Sequence, residues 1–358
     1  MNASLRHALF ATATGVALAA SPDARSQGCM AIRSPGACTL PGIGQLQEHP
    51  PMSPWQVSLA YRYLNADRYF SGSDELPMEP GSQVINTIHS FDILATYSPT
   101  PRINLSVDLP IIYAERTTRH EHMGMGGPQF TTRAAGIGDL RVTADYWLRD
   151  PAQHPKANLS FGLGVKPPTG SDDEEDDFHQ PGGPVRRPVD VAIQPGDGGW
   201  GIIFQTAGYW QLTDRLFTYL NGMYLMSPKE FNNTASFSAP GSPNNDDVNS
   251  VPDQYLGRGG FSYALWPEQG LSLSLGGRLE GIPPHDAVGG DGGFRRPGFI
   301  VSIEPGLSWM KGKNTLSLTA PVALLRNRQR SATDEITGGH GDASFADFLL
   351  FFTYTRQF

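Results

Sequence analysis

Apolar and polar residues alternate along almost the whole chain from Trp55 onward. In WQVSLAYRYL, Val57, Leu59, Tyr61 and Tyr63 share one parity, with Gln56, Ser58 and Arg62 on the other. A period of two is the repeat of a β-strand, whose successive side chains point to opposite faces. The same alternation returns in SFDILATY, RINLSVDLPII, GDLRVTADYWL, NLSFGLGVK, YLGRGGFSYAL, LSLSLGGRLE, FIVSIEPGLSWM and TLSLTAPVALL. It is weaker in WGIIFQTAGYWQL and LFTYLNGMYLM, and the pattern leaves the face of the latter open. The chain ends on a further such stretch, FADFLLFFTYTRQF, with Phe348, Leu350, Phe352, Tyr354 and Phe358 on one parity. Asp347, Thr353, Thr355 and Gln357 fall on the other, and Leu349 and Phe351 break the rule. Twelve strands are predicted in all.

The connections alternate as well. SPTPR, RDPAQHPKA, TD, PEQG and KGKN are short, whereas the spans of roughly 70–86, 114–137, 168–199, 228–253, 281–297 and 326–343 are long. Strict alternation of five short and six long connections is what twelve antiparallel strands require when both chain ends lie on one side. The prediction is an all-β fold: a transmembrane antiparallel up-and-down β-barrel with short periplasmic turns and long extracellular loops. Such a barrel must close, because an unpaired sheet edge in hydrocarbon leaves each backbone group unsatisfied at a cost of several kcal/mol. The aromatic last strand is then the one that closes it. Tyr61, Tyr63, Tyr97, Tyr146, Trp210, Trp309 and Tyr354 fall near strand ends, where interfacial aromatic girdles belong.

Composition narrows the picture. Only 17% of the 358 residues are charged, and no run of about 18 apolar residues occurs beyond the N-terminus, which excludes a helical membrane protein. A net charge of −8 without a basic stripe excludes nucleic acid as a partner. Arg6 and His7, the apolar stretch from Ala8 to Ala20 and the small residues of ALAAS read as a signal peptide over residues 1–20. Residues 21–54 then form a periplasmic N-terminal segment or a plug, in which Cys29 and Cys38, exported to an oxidising compartment, fit a small disulfide loop. Residues 55–358 form the barrel, placed in the outer membrane of a Gram-negative cell, with the lipid bilayer and lipopolysaccharide as its surroundings.

Candidate chemistry follows from which parity faces lipid. A charge on the lipid face costs about 2–4 kcal/mol near the midplane. Arg62, Asp92, Asp108, Asp139, Arg141, Asp145, Lys166, Arg258, Arg278, Glu280, Glu304 and Asp347 are therefore expected to line the lumen. Their mixed signs fit both pairing across the lumen and control of solute selectivity. Trp147, Tyr209 and Phe351 are the clear inward aromatics. The longest loop carries six consecutive carboxylates, Asp172, Asp173, Glu174, Glu175, Asp176 and Asp177. This run suits a divalent-cation site bridging to lipopolysaccharide, a cation-attracting vestibule, or a solvated tip against which Arg186 and Arg187 fold back. Gly170, Gly196, Gly198 and Gly199 are expected at sharp reversals with positive φ. The loop histidines His120, His122, His179 and His340 show no spacing that fixes a metal site, so neither metal nor cofactor is expected.

Two resemblances add to this. The terminal Phe358, with apolar residues at alternate positions before it, resembles the sorting signal read by the bacterial barrel-assembly machinery, and departs from it at Arg356. GIGDLRVTADYWL, NLSFGLGVKPPTG and QPGDGGWGIIFQ, spread between Gly136 and Gln205, resemble the outer-membrane family of meta-pathway phenol-degradation proteins, often called transporters. That resemblance implies a barrel passing small, aromatic or hydrophobic molecules and supplies no catalytic residue. The function expected is a channel for passive uptake or efflux of a small-molecule solute. The alternative is a structural or adhesion barrel with a closed lumen, acting through its extracellular loops. An outer-membrane lipid enzyme would need a Ser and a His two apart on one strand face, whereas His89 and Ser90 are adjacent and so point apart, and no enzyme is expected.

Overall fold

The computed structural model describes residues 54–79, 81–124 and 127–358. The predicted signal peptide, and the segment before Pro54 with Cys29 and Cys38, lie outside the described residues. Twelve barrel strands follow: β1 (Trp55–Ser71), β2 (Ile85–Thr100), β3 (Ile103–Thr118), β4 in two segments (Phe130–Ile137 and Arg141–Trp147), β5 (Ala157–Lys166) and β6 (Gly201–Gln211). The second half comprises β7 (Leu216–Met226), β8 (Gln254–Trp266), β9 (Leu271–Ile282), β10 (Gly298–Lys311), β11 in two segments (Asn314–Thr319 and Val322–Arg328) and β12 (Ala343–Gln357). Every strand pairs antiparallel with its sequence neighbours. β12 closes the ring on β1, from Gln56 opposite Gln357 to Phe70 opposite Ala343. The backbone N–H of Phe358 donates to the Trp55 carbonyl at 3.1 Å, so pairing extends to the last residue.

The outer face carries the apolar parity. Leu59, Phe91, Leu163, Phe204, Phe261 and Leu275 are all exposed, an arrangement that only hydrocarbon tolerates around a whole barrel. At one rim Trp55 packs against Tyr97 with ring centroids 4.7 Å apart, and the Arg102 guanidinium lies 4.6 Å from the Tyr146 ring. At the other, Tyr61 bonds His89 at 2.9 Å beneath Tyr63 and Tyr113. Above them the exposed Arg133 and Glu115 pair at 2.7 Å, so the strands continue into water beyond the apolar band. β7 resolves the ambiguous stretch: Phe217 and Tyr219 are buried inward and Leu220 is exposed outward.

Two departures from the expected layout occur where the sheet is interrupted. β3 and the first segment of β4 extend well into the span assigned to a loop, leaving a connection of 119–129. β4 breaks at Gly138–Leu140, and only its second segment pairs with β5. β11 breaks at Ala320–Pro321; proline has no N–H to continue the ladder. Beyond it β11 meets β12 at a single pair, Val322 opposite Phe348, and the Arg326 side chain bridges the seam by donating to the Ala346 carbonyl at 3.0 Å. The long loops are folded too: Glu175–Gln180 pairs with Gly183–Pro188, Phe231–Ala235 with Val248–Ser250, and a one-turn helix, Ala332–Thr337, is closed by a Ser331–Asp334 capping box.

The lipid-face assignment predicts a position-dependent cost of charge. Leu275→Arg, midway along β9, is expected to destabilise the refolded barrel by about 2–4 kcal/mol, whereas Leu275→Phe is expected to be nearly neutral. Urea unfolding in lipid vesicles measures both.

Candidate functional site: the charged lumen

Inward positions change character with height. Up β1 they run Ser58, Ala60, Arg62, Leu64 and Ala66; up β12 they run Thr355, Thr353, Phe351 and Leu349. A hydroxyl-lined mouth, where Ser58 and Thr355 bond at 2.8 Å, gives way to a charged level and then to an apolar one. In the apolar level Leu64, Ala66, Ala346 and Leu349 pack together. Beside them Val189 and Ile193, from the loop between β5 and β6, pack on the inward residues Ile112, Ala114 and Ala134. That loop therefore enters the barrel. Leu349 and Phe351, the two residues that broke the alternation, belong to this interior.

The charged level has two walls. Arg62, Asp92, Asp108 and Arg141, from β1 to β4, form the first, with Asp108 directly across the ladder from Arg141. Arg258 and Arg278 face each other across β8 and β9 in the second. Like charges so placed repel. Glu304 offsets this by lying 2.8 Å from Arg258 and 3.5 Å from Arg278 as their counter-charge, and Glu280 accepts from Arg278 at 2.9 and 3.0 Å. All eight side chains are buried. Four cations balance four anions, which a low-dielectric interior requires. Between the walls lies a small cavity, bordered by Arg62, Asp92 and Phe351, which stands across the β1–β12 ladder from Arg62, on one side and by Arg258 and Arg278 on the other.

Three more of the expected inward residues lie outside this level. Asp145 is half buried on β4, accepts from Gln205 at 2.7 Å, and occupies the space a Cβ on Gly162 would need. Asp139 and Lys166 meet above the first wall: the Lys166 ammonium donates to Asp139 at 3.0 Å, to Asp197 at 2.6 Å and to the Gly199 carbonyl at 2.7 Å. Asp139 also accepts from the backbone N–H groups of Gly170 and Asp197. Asp347 corrects the prediction. Its side chain is 51% exposed, and it pairs at the β11–β12 seam with Arg326 and, at 2.7 Å, with Arg68; the register shifts between β1 and β12 just there.

The glycine-rich segments converge on the Lys166 site. Only Gly198 has the expected positive φ, 75°. Gly170 and Gly196 are required for a different reason: a Cβ on Gly170 would lie 2.8 Å from the Gly138 backbone and 2.9 Å from Gly196, and one on Gly196 would lie 2.5 Å from the Gly170 carbonyl oxygen. Three backbones are thus pressed together where β4 breaks. Asp197, in the same GDGG stretch, was visible as part of a motif, but nothing local showed that it would meet Lys166.

The acidic run does not form one cluster. Asp172 accepts from Thr234, Asp173 from Ser171, Asp176 from the Arg133 N–H at 2.8 Å, and Glu175 lies 3.4 Å from Arg186. Strand alternation turns successive carboxylates apart, and Arg187 and Arg186 stand opposite Asp176 and Asp177. Among the described residues no group of three or more His, Cys, Asp or Glu is placed to hold a metal ion. His122 and His179 do meet. The His179 N–H donates to His122 Nδ1 at 3.1 Å, and the His122 ring stacks on buried Phe178, 5.2 Å away. Burial pushes the His122 imidazole down to about 4. His340 lies apart from them and bonds Ser71.

Set against known structures, the chain matches an outer-membrane channel from Pseudomonas putida F1 over 87% of its length and 97% of the other, with a TM-score of 0.56 and 16% identity. It matches the P. putida toluene transporter TodX over 87% and 91% at 10% identity and a TM-score of 0.41. The β domain of the Bordetella autotransporter BrkA is matched over 85% and 99% at 13% identity and a TM-score of 0.44. The first likeness shows the fold, that of an outer-membrane β-barrel; the other two fall below a TM-score of 0.5 and carry no argument. No protein-family model matches the chain, and no curated protein does. The barrel implied by the resemblance of the Gly136–Gln205 segments is thus what the chain forms.

Two outcomes are expected here. Lys166→Met leaves Asp139 and Asp197 buried together without their cation and is expected to cost about 3–5 kcal/mol; adding Asp197→Asn recovers part of the loss, read from the urea midpoint. The His122 imidazole titrates at about 4 folded against 6.5 unfolded, so the unfolded loop binds the proton first. Its contribution is present above about 6.5 and lost as pH falls towards 4. Proteolysis of the loops is expected to speed up over that window, and His122→Phe to flatten the dependence.

Proposed function

We propose that the protein is a passive outer-membrane channel for small-molecule solutes, with the charged level of the lumen as its selectivity zone. The observation that carries this is the cavity between two oppositely placed walls of buried charge inside a barrel closed against lipid. A barrel needing only mechanical stability gains little from buried ion pairs, since apolar residues of similar volume stabilise as well or better. A lumen that handles polar solutes needs them. The likeness to the P. putida channel supports the same function. Lipopolysaccharide around the outer rim and the barrel-assembly machinery acting on Phe358 complete the proposed setting.

A second reading rests on a specific observation: the Val189–Ile193 stretch occupies the lumen above the charged level. If that packing is permanent, the barrel is shut and acts through its loops. Single-channel recording of the refolded protein in a planar bilayer separates the two. Discrete conductance steps, with a reversal potential in a salt gradient that shifts on Glu304→Gln, are expected for the channel. Silence, together with no solute entry into proteoliposomes, establishes the closed barrel.

A further inference from the structure

The loop between β5 and β6 is held tightly at its roots and loosely at its buried centre. At the roots the Lys166 ammonium bonds Asp197 and Asp139 at 2.6 and 3.0 Å. Between Val189 and Ile193, the residues that enter the lumen, Asp190 is buried among charges from other elements. Its Oδ2 lies 3.7 Å from the Arg116 guanidinium and its Oδ1 3.6 Å from that of Arg296. Both separations exceed hydrogen-bond length. Oδ1 accepts from the Ala192 N–H of its own loop at 2.9 Å, and Oδ2 accepts no hydrogen bond among the described residues. A buried carboxylate oxygen without a donor is costly and uncommon. Charge attraction holds Asp190 in place, but its fit is poor.

The two arginines are positioned by groups other than Asp190. Arg116, inward on β3, donates to Glu121 at 2.9 and 2.6 Å and to Asn86 at 2.8 Å, and Asn86 donates in turn to Ser344 at 2.7 Å. Arg296, in the segment leading into β10 on the other side of the β1–β12 closure, lies 4.8 Å from the Phe294 ring. Burial pulls the Arg296 guanidinium down to about 9, and Asp190 is the strongest influence raising it. A guanidinium offers a planar fork of donors suited to a carboxylate, and donors already oriented bind at a lower entropy cost. A carboxylate not tied to a loop can approach these forks with the geometry that Asp190 lacks. We propose that Arg116 and Arg296 form a binding site for small carboxylate solutes, that Asp190 occupies it as a tethered stand-in, and that the solute opens the lumen by displacing the loop. The inference rests on the channel proposed above, in which Val189 and Ile193 block the path until the loop leaves. A ligand shifts such an equilibrium only by binding one state better, and here the loop-out state alone offers both forks. A tethered competitor acts at an effective concentration of about millimolar, so the free carboxylate is expected to act in that range.

The test uses the full protein refolded into lipid vesicles, with acetate, the aspartate side chain set free, as probe and acetamide as its neutral counterpart. Chloride at the same ionic strength controls for screening. Val189 is 1% exposed, so reaction of Val189→Cys with a water-soluble maleimide, read on the peptide that carries it, reports departure of the loop. Millimolar acetate is expected to speed that reaction at least fivefold, and acetamide and chloride less than twofold. In the same background Asp190→Asn is expected to lower the half-effective acetate concentration at least threefold, because the competitor is gone, and Arg296→Gln to raise it at least fivefold. The two variants lie on different elements, so one that fails to fold leaves the other to decide. A merely structural clamp would speed the reaction in both variants and give no acetate response in the parent. Equal effects of the three solutes, or none from acetate, would overturn the site, while conductance steps in planar bilayers leave the channel standing. Silence in the bilayer together with the expected acetate response removes the channel and keeps the site.

Discussion

Everything in this structure depends on the hydrogen-bonding needs of backbone in hydrocarbon. With no water to take up a free N–H or C=O, a sheet in lipid must have no edge. The pairing of β12 with β1 over almost their full length, down to the Phe358 N–H on the Trp55 carbonyl, meets that demand. Where the ladder does break, at Gly138–Leu140 and Ala320–Pro321, substitutes are supplied: the Thr169 hydroxyl accepts from the Leu140 N–H at 2.7 Å, and the Pro321 carbonyl accepts from Leu349 at 2.9 Å.

Closure determines the chemistry inside. Once one parity is committed to lipid, nearly every charge on the strands within the apolar band is driven inward, and in a space this narrow the charges must meet one another. The result is a graded interior of hydroxyls, ion pairs and apolar side chains, set by what successive inward positions happen to be. Two buried arginines directly opposite each other on β8 and β9 would be untenable alone; Glu304 and Glu280 make them tenable and hold them rigid.

The Lys166 site ties this interior to the loops. Asp139 belongs to the break in β4, Lys166 to the end of β5, and Asp197 to the loop that inserts Val189 and Ile193 into the lumen. Close contact among Gly138, Gly170 and Gly196 lets the three chains approach. An ammonium between two carboxylates thus fixes where the inserting loop begins and ends.

The strand count and the face of nearly every strand were legible in the sequence, because a period of two and the cost of charge in lipid are local rules that each segment obeys by itself. The same rules failed at Asp347, where a register shift between β1 and β12 lets an inward parity end at the surface, and were silent on β7, where Phe217 and Tyr219 follow no clear alternation. Which charges meet is a different kind of fact. The partnership of Lys166 with Asp139 and Asp197, of Arg258 with Glu304, and of His122 with His179 depends on shear around the ring and on loops returning across it. Such contacts join residues far apart in the chain whose separation carries no local signal. The glycine motifs show the boundary: their presence announced tight backbone somewhere, and only the closed barrel decided that all three would be pressed against one another.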